Sequence, residues 1–444
     1  MLKFSPGLSE QVVRDISAAK REPSWMLDVR LKAYKKFVSM PMPKFGPDLS
    51  FLDLSKVCHY AQPTKQKVSS WKKLPKKIRE TYDRIGLPEA EKRYLAGVGA
   101  QYNSEVVYQN LKAEWKRLGV IFLDTDTALK EYPEYFKQYF GKVISVSDNK
   151  FAALNTAVWS GGSFIYVPPG IKLSVPLQAY FRINIANLGQ FERTLIIADE
   201  GAEVHYVEGC TAPVYSTDSL HAAVVEVVAK AGSRVRYTTI QNWSTNVVNL
   251  TTQRMLVEKN AIGEWVDGNI GSKVTMKYPC VVLSGEGARG DILSLAIAKN
   301  GQNQDNGGKA IHLALGTSST IVSKSVSLDG GVCSYRGQVV IDSAATNSKT
   351  STRCDALLMD DVSTSNTFPA NTIKTHDASV AHEASVSRVS DEQLFYLMSR
   401  GLSESEALSM TVNGFVEPIV KNIPLEYAAE LNRLIDLNME DSVG

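Results

Sequence analysis

The chain has 444 residues, 44% hydrophobic and 22% charged, and 49 basic against 47 acidic side chains leave a formal charge of +2. That gives room for two or three domains and a large core, at a composition near the globular average, and excludes disorder, a collagen-like fibre and a membrane bundle. The balanced charge also argues against nucleic acid as the main partner. No stretch approaches the roughly 18 apolar residues of a membrane span; the nearest, Ala222–Ala229, is interrupted by Glu226. The opening MLKFSPGLSEQVVRD has no apolar segment of the kind a secretory signal needs. Cys58, Cys210, Cys280, Cys333 and Cys354 are odd in number and widely scattered, which fits free thiols in a reducing cytosol better than a disulfide framework.

Residues 1–140 read as a helical, charged domain. WMLDVRLKAYKKF (25–37) places Trp25, Val29 and Ala33 on one face at helical spacing, and AEKRYLAGVGAQYNSEVVYQNLKAEWKRLGV reads as helix-rich, broken near Gly97 and Gly99. Between them Lys65, Lys67, Lys72, Lys73, Lys76, Lys77 and Arg79 form a basic cluster, which suits a solvated linker or the grip on an acidic partner.

Residues 141–382 have a different texture. Short runs rich in Val, Ile, Thr and Tyr alternate with Gly, Asn, Asp and Ser. EGAEVHY, AGSRVRY, KNAIGEW, EGARGDI and LGTSSTI each put a turn before a strand, and their turn residues Gly201, Gly232, Asn260, Gly287 and Gly316 are 31, 28, 27 and 29 residues apart. A period near 28 built from short strands predicts a solenoid with one coil per repeat, hence a mainly β chain with a parallel β-helix core. Residues 383–444 return to helix. Ser390-Asp-Glu-Gln393 and Ser403-Glu-Ser-Glu406 are N-terminal capping signatures, Gly401 closes the first helix, and Pro424 opens a third over LEYAAELNRLIDL. This tail either caps the open end of the solenoid or offers a docking surface.

The familiar enzyme motifs are missing. There is no GxxxxGKS/T, no GxGxxG between strand and helix, no GxSxG, no HExxH and no CxxC, so the chain is not expected to be an enzyme and any ATP hydrolysis must belong to a partner. What remains is soft or ionisable groups in the β region. Cys354 in STRCDALL precedes His382 and Glu383 in AHEAS by one solenoid period, and residues one coil apart stack at about 4.8 Å. A thiolate with an imidazole and a carboxylate can ligate iron or zinc. Strand neighbours point to opposite faces, however, so both His382 and Glu383 reach one metal only if the strand ends or bulges there. A second column runs Arg182, Cys210, Gln241, with Asn184 and Trp243 two residues further along their strands. Facing inward it would enclose a polar strip around one thiol, and buried polar groups need partners or a purpose; facing outward it needs neither.

At these residues a resemblance becomes specific. WMLDVRLKAY, LPEAEKRYLAGVGAQYNSEVVY, DNKFAALNTAVWSGGSFIYVP, QAYFRINIANLGQFERTLII, VEGCTAPVYSTDSLH, WVDGNIGSKVTMKYP, SYRG, RCDALL, HEASVS and DEQLFYLMSRGLS resemble, in order from about residue 20 onward, the SufB/SufD family of the Suf iron–sulfur cluster assembly machinery. The resemblance implies a cytoplasmic scaffold that accepts sulfur and iron, builds a transient cluster of the four-iron four-sulfur type and passes it to apo iron–sulfur proteins. It implies a right-handed parallel β-helix between helical ends, pairing through the end of the β-helix with SufD or a second copy of itself. The C-terminal helical domain would bind a SufC-type ATPase, and a cysteine desulfurase or its carrier would be the sulfur donor.

By the same resemblance Cys354 is the cluster-site cysteine, His382 and Glu383 are neighbouring candidate ligands, and Cys210 accepts sulfur as a persulfide. Arg182, Asn184, Gln241 and Trp243 line the route between the two cysteines, and Arg182 beside Cys210 would favour the thiolate. Reduced flavin is a further ligand implied for related complexes, but no dinucleotide fingerprint accompanies it here. The chain departs from some members in lacking an N-terminal CxxCxxxC motif, having only Cys58 there, and in carrying Ala381 where others are acidic. Cys280 and Cys333 read as small buried residues. A SufD-like structural partner is the alternative within the family, which Cys354 argues against. A secreted β-helix polysaccharide lyase is the alternative outside it, and the exterior acidic and basic clusters it requires are not visible.

Overall fold

The computed structural model describes residues 2–62, 67–84, 91, 94–185, 187–215, 217–421, 428, 432 and 435. The expected turns set its architecture. Gly201, Gly232, Asn260, Gly287 and Gly316 all have φ between 53° and 68°, the left-handed region that glycine and asparagine tolerate best. Each donates its amide to a carbonyl of the next turn, as in Gly201 N to Ala231 O at 2.9 Å and Gly232 N to Lys259 O at 2.8 Å. The turns therefore stack, and the strands behind them must stack in register. Glu203 pairs with Arg234, Arg234 with Ile262, Ile262 with Arg289 and Arg289 with Ser318, all in parallel, which reproduces the turn spacing coil by coil.

Each coil contributes to two sheets, one of ten strands and one of twelve among the described residues. Alternation along the strands sends Val204, Tyr206, Tyr237, Trp265 and Ile292 of one sheet inward against Ile196, Val225, Val227, Met255 and Val281 of the other, forming one continuous core. Complete burial of each such aliphatic side chain stabilises the coil stack by roughly 1.5–3 kcal/mol.

The N-terminal region is less purely helical than expected. The helix Ser24–Ser39 is present; with Glu10–Lys20 it packs on the helix Lys150–Val158 through Ile16, Ala33, Phe37, Leu154 and Val158. The stretch read as helix-rich holds a β-hairpin over its middle, and Ala113–Arg117 after the hairpin is helical as expected. Gly97–Tyr102 and Glu105–Leu111 pair antiparallel across Asn103-Ser104, with Asn103 at φ 60°, and Gly97–Tyr102 continues the ten-stranded sheet by pairing with Leu177–Arg182. Its Val and Tyr residues are buried in the hairpin, and tertiary pairing overrides the helical appearance of the flanking charges. Within the basic cluster, Lys72, Lys73 and Lys76 are exposed, Lys67 is ion-paired to Asp124, and Lys65 lies outside the described residues.

At the other end the last strand runs Ala378–Arg388, beyond the boundary expected at 382. The capping signatures are real: Ser390 Oγ accepts from Gln393 N at 3.1 Å, and Ser403 with Glu406 forms a reciprocal capping box. The helix Glu404–Val420 lies against the outer face of the ten-stranded sheet, packing Val412, Val416 and Ile419 on Leu295, Ile297, Val326 and Leu357. It flanks the solenoid and does not close it, so the last strands, Thr364–Ile373 and Ala378–Arg388, remain largely exposed. Pro424 and LEYAAELNRLIDL fall almost wholly outside the described residues.

Candidate functional site

Cys210 sits near the end of the strand Glu203–Thr211, with its side chain among the inward-facing residues of the solenoid. Its ladder neighbours are Phe181 on one side and Gln241 on the other. Arg182 pairs instead with Thr211, donating from Nη1 to Thr211 Oγ1 at 3.0 Å, and so faces away from the thiol. The one-residue offset reverses its side, which corrects the expectation that it favours the thiolate. Asn184 stays with Arg182 outside this column, its amide donating to Asn103 Oδ1 at 2.8 Å and its side chain to Tyr102 OH. Gln241 and Trp243 face inward with Cys210; Gln241 Oε1 accepts from Asn249 Nδ2 at 2.6 Å, and the Trp243 ring lies 4.7 Å from that of His221.

The surroundings of Cys210 are acidic. Its Sγ contacts Glu208 Oε1 at 3.6 Å, and Tyr237 OH donates to Glu208 Oε2 at 2.5 Å. Across the interior, His221 Nε2 lies 3.0 Å from Glu192. Burial pushes the Cys210 thiol well above its ordinary range; the Glu208 and Glu192 carboxylates push the same way and Lys277 opposes them. Burial also lifts Glu208 to about 7, with the Tyr237 hydrogen bond opposing and Glu192 adding to the rise. Burial works against a charge on His221 too, but Glu192 and Asn249 raise it above its usual value.

From Cys210 the inner wall continues through Gln241, Asn269, Ala296, Ser325 and Ala356, one residue per coil. The facing wall runs His221, Asn249, Thr275, Gln304, Cys333 and Ser365. Midway, Asp267 and Lys277 join the two walls at 3.2 Å with both side chains at most 1% exposed. Gln241 Nε2, Asn269 Oδ1, Gln304 Oε1, both side-chain heteroatoms of Asn306, and Tyr335 OH are buried here without a hydrogen-bond partner among the described residues. Such a run of unsatisfied groups needs water or a polar guest.

The lane ends at Cys354, two residues before Ala356 on the same side of its strand. Five ladder steps of ~4.8 Å put the two cysteines roughly 25 Å apart along the solenoid axis. Cys354 Sγ lies 3.5 Å from His382 Nε2 and 3.5 Å from the carbonyl oxygen of Glu383. His382 is laddered to Thr352, not to Cys354, but Thr352 and Cys354 share a face, so the imidazole leans onto the thiol. Burial raises the Cys354 thiol, Asp355 adds to it and the Thr367 hydroxyl opposes. Glu383 is laddered to Arg353 in an unbulged strand, which puts its side chain on the opposite, outer face. Among the described residues no three of His, Cys, Asp and Glu stand close enough to hold a metal ion. Cys280 and Cys333 are buried as expected, and Cys58 is buried without another cysteine in a CxxC spacing.

Two family models match consecutive stretches of the chain. SufBD protein N-terminal region covers residues 94–179, and SUF system FeS cluster assembly, SufBD core domain, covers residues 181–415. The chain belongs to the SufBD family. It is 58% identical over 438 residues to the iron–sulfur cluster assembly protein SufB of Bacillus subtilis, covering 99% of this chain and 94% of that protein. Iron–sulfur cluster assembly SufBD family proteins of Staphylococcus saprophyticus and Staphylococcus aureus are each 59% identical with the same coverage. For a SufBD protein the interior lane and the Cys354–His382 contact occupy the core-domain match.

Of the lane, only Cys210, Gln241, Trp243 and Cys354 with His382 were legible as site residues; Glu208 and Asp267 on the wall of Cys210, and Glu192, His221, Asn249 and Lys277 on the facing wall, were not singled out. A signal was available: His221 and Asn249 are 28 residues apart, the same period that linked Cys354 to His382. Polar residues recurring at the coil period in strands otherwise made of Val, Ile and Leu mark an inner polar wall.

Proposed function

We propose that this chain is an iron–sulfur assembly scaffold that receives sulfur at Cys210 and builds a nascent cluster, of the four-iron four-sulfur type, at Cys354 and His382 for transfer to apo-proteins. The observation that carries the proposal is the end of the solenoid: a buried thiol on the next-to-last strand of its sheet in contact with a half-buried imidazole on the exposed last strand, with too few donors among the described residues to complete an iron–sulfur site. Clusters of this class are held by four thiolates in stable proteins. A pair of donors at an open rim suits a cluster shared with another subunit and then released. Phe368, Ile373 and Val386, exposed at 45%, 45% and 59% around this rim, suit pairing with SufD or a second copy of the chain. Phe395, Tyr396, Met398 and Met410 are exposed on the C-terminal helices, an apolar face for a SufC-type ATPase.

In this reading the protein is a carrier and assembly platform and not an enzyme, works in the cytoplasm, and takes sulfur from a cysteine desulfurase or its carrier. No described helix is long and apolar enough to cross a membrane. The polar lane supports a sulfur route past Gln241 and Trp243, with Arg182 and Asn184 flanking the strand end outside it. Glu383 enters the ligand set only if the last strand turns over. The SufD-like alternative lacks a role for the Cys354–His382 contact. The test is anaerobic reconstitution with iron and sulfide, together with a SufC-type ATPase, comparing the native chain with Cys354→Ala. A cluster seen by absorption and Mössbauer spectra, moved to apo-ferredoxin and lost in the variant is the expected result. Equal loading of both proteins would remove Cys354 from the site, and loading of neither would favour the structural alternative.

A further inference from the structure

We infer that Glu208 is the proton acceptor that turns the Cys210 thiol into a nucleophile when sulfur is received. The inference rests on the reading of Cys210 as sulfur acceptor and supplies a group that this reading lacks. A thiol is inert until deprotonated, and among the described residues no cation stands free beside Cys210. Arg182 faces the other side of the strand, and Lys277 is committed to Asp267 at 3.2 Å. His221 is held by Glu192 and Asn249. Among the described residues Glu208 is the one carboxylate in contact with the sulfur, Oε1 at 3.6 Å, on the same face two residues before it. Its other oxygen is fixed by the Tyr237 hydroxyl at 2.5 Å, so Oε1 stays turned toward Sγ. Glu208 is 2% exposed and Cys210 1%, so neither faces bulk solvent.

The electrostatics fit that role. A carboxylate lifted to about 7 by burial and by Glu192, against the pull of Tyr237, Lys277 and His221, is a stronger base than an exposed one and still ionised near neutral pH. Tyr206, inward-facing on the same strand, stays neutral because burial and Glu208 raise it. The step balances without an added oxidant or reductant. Glu208 takes the proton of Cys210, and the thiolate attacks the terminal sulfur of a donor persulfide, R–S–SH. A new S–S bond forms on Cys210, the donor's S–S bond breaks, and R–S⁻ leaves with the proton that Glu208 returns.

The test uses the full chain and glutathione persulfide as donor, following persulfide on Cys210 by peptide mass spectrometry, with Cys210→Ala as blank. The native rate should rise through about pH 7 and then level as Glu208 ionises, while Glu208→Gln should fall roughly a hundredfold and lose that inflection. Gln keeps the acceptor for Tyr237 and the packing but not the base. Tyr237→Phe removes a donor that stabilises the charged carboxylate, so it should move the inflection to higher pH; this arm decides the matter if Glu208→Gln does not fold. A Glu208→Gln protein with the native rate and pH profile, or a Tyr237→Phe inflection that does not move, overturns the role of Glu208 alone. A native chain that never gains sulfur on Cys210 removes the acceptor reading, and the base falls with it.

Discussion

Cys210 and Cys354 lie on the same inner wall of the solenoid, five coils apart, yet their surroundings differ in kind. Around Cys210 the walls are closed, the near groups are carboxylates, and the thiol is held neutral by burial and by Glu208 and Glu192. Cys354 is also buried but lies one strand from the end of the sheet: His382 is only part-buried, its strand is an exposed edge, and an imidazole replaces the carboxylate as the sulfur's neighbour. A sealed thiol with a base suits taking one sulfur atom without losing it to solvent. A rim thiol with a metal-binding imidazole suits gathering iron and giving the product away. The fold separates the two tasks by stacking identical coils between them.

The largest effect should come from separating the two thiols by the form of sulfur supplied. With free sulfide and iron, Cys354→Ala should lose the cluster, whereas Cys210→Ala should load like the native chain because sulfide reaches the rim directly. With a persulfide donor and iron as the only sources of sulfur and iron, and a reductant that supplies the two electrons each sulfane sulfur needs to become sulfide, the native chain should load and both variants should fail. Absorption spectra under anaerobic conditions read both arms. A Cys210→Ala chain that still loads from the persulfide donor would erase the division of labour.

Next in size is the pair that joins the walls. Removing one partner of a buried ion pair leaves the other charge uncompensated, so Lys277→Met should lower stability by about 3–5 kcal/mol. The double variant Lys277→Met with Asp267→Leu should recover most of that loss. Urea unfolding midpoints measure both. A small loss in the single variant would mean that the lane is wet enough there to solvate Asp267 unaided.

The closed end should also reveal itself in the pH dependence of stability. Glu208 has a folded value raised from 4.5 to about 7, so between these values the folded chain binds more protons than the unfolded one, and stability falls as pH rises across that window. The window corresponds to roughly 3 kcal/mol at about 1.4 kcal/mol per pH unit. Glu208→Gln should therefore gain on the native chain by that amount between pH 5 and pH 8, seen in paired urea titrations. A constant difference would place the Glu208 titration elsewhere. His59, His205 and His312, each lowered to about 4 by burial, act in the opposite sense: their contribution is lost as pH falls from about 6.5 toward 4.

How much of this was legible beforehand follows from what a period can encode. The turn residues carried the repeat because a left-handed φ restricts residue choice, and from the repeat came the coil, the parallel pairing and the Cys354–His382 proximity. A period of 27 to 31 residues is not constant, though, and an error of one residue exchanges inside for outside. That is why Arg182 was placed beside Cys210 when Phe181 is its neighbour. The hairpin at Gly97–Leu111 was illegible for another reason: its first strand gains its outer partner from Leu177–Arg182, some 80 residues later, and local sequence shows only the charged flanks. The acidic wall around Cys210 was legible but unread.

The smallest expected effect bears on the rim. Alternation along Ala378–Arg388 puts Glu383 on the outer face beside Arg353, while His382 shares the inner side with Cys354. Glu383→Gln should then change cluster yield by less than about twofold, as for surface substitutions generally. His382→Ala should lower it roughly tenfold or more, the scale of lost ligand support at a metal. Both are read from iron and sulfide bound per chain after reconstitution, with Arg353→Gln as the outer-face control. If Glu383→Gln costs as much as His382→Ala while Arg353→Gln costs nothing, the carboxylate must come round to the inner side. A strand laddered on one edge only can do that by peeling from Ser348–Leu358 over its last residues, because the helix Glu404–Val420 packs on the flank of the sheet and leaves this strand uncovered. The cluster would then select a rim conformation that the closed coils around Cys210 have no means to adopt.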